Sequence, residues 1–76
     1  MADDLAGRIE DTLRPIIGSV LAAVSVDLET KRIGKTRSTV MVSDLPTIAE
    51  NLVTQLRLVV GKDLAEAAAQ RVRGLA

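Results

Sequence analysis

The sequence predicts a mainly α protein. The expected architecture is a small helical bundle of one long kinked helix, a short extended segment and two further helices, completed by dimerisation. Three observations carry this reading. Apolar residues recur at helical spacing over the first 28 positions, and capping residues and glycines mark the segment ends. The apolar 47% of the chain contains no Phe, Tyr or Trp. Leu, Val, Ile and Ala pack helices closely, whereas ligand pockets and base-stacking surfaces draw on aromatic rings.

The first helix is read from Leu5, Ile9, Leu13, Ile16, Val20, Val24 and Leu28, one stripe at steps of three and four residues. Asp3 or Asp4 is placed to cap its start. Pro15 interrupts the backbone ladder, but the stripe keeps phase across it, which predicts one helix kinked at the proline, with Gly18 and Ser19 absorbing the bend. Lys31 and Arg32 then meet the negative end of the helix dipole, and Gly34 supplies a left-handed stop.

From Lys35 to Ser43 the residues turn β-branched, with Thr36, Thr39, Val40 and Val42, which predicts a short strand or an extended connection. Ser43 or Asp44 caps the next helix, over about residues 45–60, with Pro46 in its first turn and a second capping box offered by Thr47 to Glu50. Leu45, Ile48, Leu52, Leu56 and Val59 fall on one side of it, with Ala49, Val53, Leu58 and Val60 elsewhere, an apolar surface wider than one packing face needs. Gly61 ends it and Asp63 is expected to cap a last helix with a thin face of Leu64, Ala67, Ala68 and Val72.

Seventy-six residues make a single helical domain, 1–76. A chain this short buries too little surface to be robust without a staple. It contains no Cys and no His, so disulfides, ordinary zinc sites and the usual nucleophile–base pairs are excluded. Self-association is the remaining aid, and a homodimer is expected. Its shared surface is assigned to Ile16, Val20, Val24, Leu45, Ile48, Leu52, Leu56 and Val59. No apolar run reaches membrane-spanning length, and the acidic start Met-Ala-Asp-Asp is unlike a signal peptide. No membrane contact, no metal and no cofactor are expected, and the location is read as cytoplasmic.

Charge is unevenly spread. Residues 1–30 carry six acids against Arg8 and Arg14, residues 31–43 carry Lys31, Arg32, Lys35 and Arg37 with no acid, and residues 44–76 balance. Such asymmetry serves either nucleic-acid binding or packing of acidic against basic segments. Gly34-Lys35-Thr36 copies the end of a phosphate-binding loop, but position 29 is Glu29 where that motif requires glycine, and the segment follows a helix instead of a strand. Carboxylate pairs remain conceivable, Asp11 with Asp27 or Glu10 with Glu29, yet no pocket-forming residues accompany them, and no enzyme is expected.

The layout of residues 35–75, Lys-Thr-Arg-Ser-Thr-Val-Met-Val-Ser-Asp-Leu-Pro followed by a helix, a glycine turn and a second helix, resembles ribbon-helix-helix repressors. The resemblance implies a dimer whose paired strands send Arg37, Thr39 and Met41 into the DNA major groove, with Lys35 on phosphate. The chain departs from the family in its acidic 30-residue start, its longer middle helix and Asp63 in the turn. The leading expectation is a non-catalytic protein–protein interaction or assembly module, a small homo-oligomeric scaffold or regulator. The alternative is a dimeric DNA-binding regulator using residues 35–42.

Overall fold

The computed structural model describes residues 4–75, and Asp3 lies outside them. Four helices occur among these residues: α1 (Leu5–Ile17), α2 (Ser19–Arg32), α3 (Leu45–Val60) and α4 (Lys62–Arg73), with a short 3-10 turn at Val42–Asp44 before α3. The helical bundle read from the sequence is the observed fold.

α1 starts as its sequence requires. The Asp4 carboxylate accepts the Gly7 N–H at 2.6 Å, satisfying one of the free donors of the first turn. The expected single kinked helix is instead two helices. α1 runs through Pro15 and ends at Gly18, whose φ of 86° and ψ of 161° turn the chain back on itself. Pro15 sits close enough to the C-terminus that its missing N–H removes one bond from the last turns, while the reversal needs a backbone region open essentially to glycine alone. Gly61 takes the same conformation, φ 93° and ψ 164°, between α3 and α4. The molecule is therefore two helix–glycine–helix hairpins.

α2 stops where Lys31 to Gly34 predict. The Gly34 N–H reaches the Lys31 carbonyl at 3.0 Å and the Lys35 N–H reaches the Thr30 carbonyl at 2.8 Å, the paired bonds of a Schellman stop. The connection that follows holds no strand. Residues 37–39 turn, with the Thr39 N–H on the Thr36 carbonyl at 3.1 Å and the Thr36 N–H on the Thr39 hydroxyl at 2.9 Å. Threonine hydroxyls offer the backbone local partners, and here they win over extended pairing.

The core is built from Ile9 and Leu13 of α1, Ala22 and Val26 of α2, Leu45, Ile48, Leu52 and Leu56 of α3, and Ala65, Ala68 and Val72 of α4. α3 and α4 make the most extensive contact, α1 lies against both α2 and α4, and α2 touches α3 only lightly. α4 begins two residues earlier than a cap at Asp63 implies, so Asp63 lies inside the first turn instead of capping it. Its buried face is Ala65, Ala68, Ala69 and Val72, whereas Leu64 is 47% exposed. Alanines let α4 approach α3 closely, and a leucine on that face would hold the two apart.

Candidate functional site

α2 is mounted the wrong way round for a core helix. Val20, Val24 and Leu28, one turn apart, are 78%, 45% and 45% exposed, while Ser25, Glu29 and Thr30 are 0%, 1% and 4% exposed. At about 100° per residue, Ser25 and Glu29 lie about 100° and about 140° from the centre of that apolar stripe, on the side facing the bundle. The cause is Gly18. The stripe predicted from Leu5 to Leu28 stays in phase along the sequence, but the reversal turns its second half outward.

The inward polar groups are poorly served. Thr30 bonds its hydroxyl to the Asp27 carbonyl at 3.0 Å. The Ser25 hydroxyl, both Glu29 carboxylate oxygens and the Gln55 side-chain oxygen find no hydrogen-bond partner of good geometry. Ser25, Glu29 and Thr30 face Ile9, Leu13, Ile48 and Leu52 across a gap too tight for a water molecule. Burial pushes the Glu29 carboxyl above its ordinary value, against the smaller opposing pulls of the Asn51 amide and of Arg32. The Arg32 guanidinium is 3.9 Å away and half exposed, a loose ion pair that compensates little.

The basic segment is tied down by acids from the rest of the chain. The Lys35 ammonium donates to Asp44 at 2.6 Å. Arg37 reaches Glu10 of α1 at 2.9 Å and Asp27 of α2 at 3.3 Å. Burial alone would lower the Arg37 pKa, but these two carboxylates outweigh it and the net shift is upward. Asp44 is held below its ordinary value by the Lys35 hydrogen bond and then by the Met41 N–H, which it accepts at 2.9 Å. That carboxylate therefore turns back into the connection instead of capping α3.

The residues assigned to a shared surface separate into two groups. Leu45, Ile48, Leu52 and Leu56 are at most 2% exposed; the chain's own helices cover them, so a second copy does not reach them in this fold. Ile16 is half-buried, and Val20, Val24 and Val59 are exposed. Val59 adjoins Leu58, which is 92% exposed. The four residues assigned to DNA do not form the alternating face of a strand. Lys35 and Arg37 are paired with carboxylates, the Thr39 hydroxyl is spent on the Thr36 turn, and Met41 donates its N–H to Asp44. The carboxylates considered as pairs are also regrouped: Glu10 and Asp27 share Arg37, and Glu29 is buried apart from both.

Among the described residues no three Asp or Glu side chains gather into a group able to hold a metal ion, and no helix is long and apolar enough to cross a membrane. Comparison with protein-family models, with curated proteins and with solved structures gives no match to this chain.

The sequence assigns Val20 and Val24 to a shared surface but does not separate them, with Leu28, from the core, because it places them in phase with the core stripe of α1. The one signal that could have separated them is Gly18, the only residue from Leu5 to Arg32 beyond the first turn of α1 that can take a positive φ without strain.

Proposed function

We propose that this protein is a non-catalytic self-association module, a small helical building block that pairs with a second copy of itself. The observation that carries the reading is the outward stripe of Val20, Val24 and Leu28 on a helix that buries Ser25, Glu29 and Thr30 beside Ala22 and Val26. Isolated exposed apolar residues are ordinary on a protein surface, but three at one-turn spacing on one helix form a continuous strip. The ion pairs around Lys35 and Arg37 support the same reading, because they leave the basic segment little free charge for a phosphate backbone.

The test is sedimentation equilibrium of the whole chain beside Val20→Lys. Val20 is 78% exposed, so the substitution leaves the fold intact. The wild-type chain is expected to move from 8.1 kDa toward twice that mass with rising concentration. Because a two-fold interface contains the change twice, Val20→Lys weakens association by about 100-fold or more. A dimer indifferent to the lysine would remove the stripe from the interface.

A further inference from the structure

We propose that two copies pair by exchanging α1 across the Gly18 hinge, so that α1 and α2 of each copy become one continuous helix. The proposal rests on the self-association reading above and specifies its geometry.

The helices on either side run up to Gly18 itself, and the departure from helix is confined to that residue's φ of 86° and ψ of 161°. The Gly18 N–H bonds the Arg14 carbonyl at 2.9 Å and the Gly18 carbonyl accepts the Ala22 N–H at 3.0 Å, both the i to i−4 bonds of an α-helix. What the reversal breaks is the set of bonds from Ser19, Val20 and Leu21 to the carbonyls of Pro15, Ile16 and Ile17. Rotation at the single residue Gly18 restores them. α2 also enters from Gly18 with no side-chain cap, so its first amides are left to solvent in the folded-back form.

A straightened helix over residues 5–32 is about 42 Å long at 1.5 Å per residue, against a longest extent of 29 Å for the folded-back chain. Such a chain leaves α1 with nothing of its own to pack on. A second copy in the same state supplies the missing contacts, because every bond α1 made to α2, α3 and α4 is available in the partner. The ion pair of Arg37 with Glu10 of α1 then joins two chains, while its pair with Asp27 of α2 stays within one.

Helical phase makes the exchange close. In a continuous helix the buried face of α1, Ile9 and Leu13, and the buried face of α2, Ala22 and Val26, lie about 140° apart. Each long helix therefore presents one half to each of two lobes on opposite sides, and two antiparallel copies satisfy this with one two-fold axis at the hinge. Val20 and Val24 stay in phase with Leu13, which turns them toward the lobe that holds their own α1. The stripe that points to water in the folded-back chain thereby faces protein next to the hinge, together with half-buried Ile16 and Ile17.

The experiment compares three whole chains: wild type, Gly18→Ala, and a synthetic chain with D-alanine at position 18. An L-alanine Cβ at Gly18 meets nothing within 4 Å, so Gly18→Ala acts through the backbone alone. L-alanine disfavours φ 86° and favours helix, by about tenfold per hinge and hence about 100-fold in the dimer association constant. D-alanine favours the positive φ and holds the chain folded back. Mass by light scattering is read together with hydrogen exchange at the Ser19, Val20 and Leu21 amides. The expected result is a tighter dimer for Gly18→Ala with those amides protected, and a monomer for the D-alanine chain with the same amides exchanging freely. A wild-type dimer that D-alanine leaves intact, its hinge amides unprotected, overturns the exchange while keeping the stripe as a docking face. A wild-type chain still monomeric at about 1 mM overturns both readings. If Gly18→Ala fails to fold, the wild-type and D-alanine chains still decide between them.

Discussion

Glu29 is the residue at which this fold is least at ease. Its carboxylate is 1% exposed, and its folded-state pKa stands above 4.5, so the folded chain binds that proton more tightly than the unfolded chain does. The stability this provides is fully present below about pH 4.5 and is lost as the pH rises from there through the folded pKa. Asp44 has the opposite sign. Its depressed pKa gives a contribution present above its ordinary 3.8 and lost as acid protonates it. Replacing Glu29 by methionine removes the uncompensated charge at similar volume. We expect Glu29→Met to be more stable than wild type at pH 7 by about 1–3 kcal/mol, with the advantage shrinking below about pH 4.5. Urea titrations followed by far-ultraviolet circular dichroism at pH 7 and pH 4 measure both values. A variant no more stable at pH 7 would mean that the carboxylate keeps a strong partner in solution. None of this was legible in the sequence, where Glu29 stands one step from the apolar stripe and reads as an ordinary solvated acid near a helix end.

Among the elements, the hairpin of α3 and α4 shows how far local pattern reaches. The start of α3 at Leu45-Pro46, its end at Gly61 and the buried series Leu45, Ile48, Leu52 and Leu56 all follow from spacing and turn chemistry in the sequence. The facing side of α4 does not, because Leu64 and Ala67 share a helical interval with Ala68 and Val72 and only packing chooses between overlapping faces. Packing chose the small residues: Ala65 and Ala68 are fully buried, and Ala69 is 3% exposed. An interface of alanines has no spare volume. Ala68→Leu therefore forces α4 away from α3, and we expect a loss of about 1–3 kcal/mol despite leucine's good helix propensity. Thermal denaturation checks it; an unchanged midpoint would place a gap where the structure has contact. The break at Gly18 escaped the sequence for a related reason. A one-residue hinge reverses the chain without disturbing the periodic pattern, so the pattern alone reads straight through it.

At the scale of the whole molecule, the acidic first third and the basic segment after it are drawn together within one chain. Arg37 bridges Glu10 of α1 and Asp27 of α2, and Lys35 closes the connection onto Asp44. The sequence left two uses for that asymmetry, and the geometry spends it on internal contacts that fix the connection between the two hairpins. Binding a duplex would require Lys35 and Arg37 to give up their carboxylates, and Glu10 and Asp27 would stand close to the phosphates. Non-specific binding grows with the number of phosphates neutralised and is strongest at low salt. A labelled mixed-sequence duplex titrated with this protein should therefore show no rise in fluorescence anisotropy in the low micromolar range, even at about 50 mM salt. The label belongs on the DNA, since the chain has no Trp or Tyr. Binding at 50 mM that collapses at 200 mM would mean that the internal ion pairs open on contact with phosphate, and the connection would then be a nucleic-acid surface instead of a clasp. Arg37→Glu separates the two roles. For a clasp it lowers thermal stability, by setting a third carboxylate beside Glu10 and Asp27, and leaves the anisotropy flat. For a DNA surface it abolishes the binding.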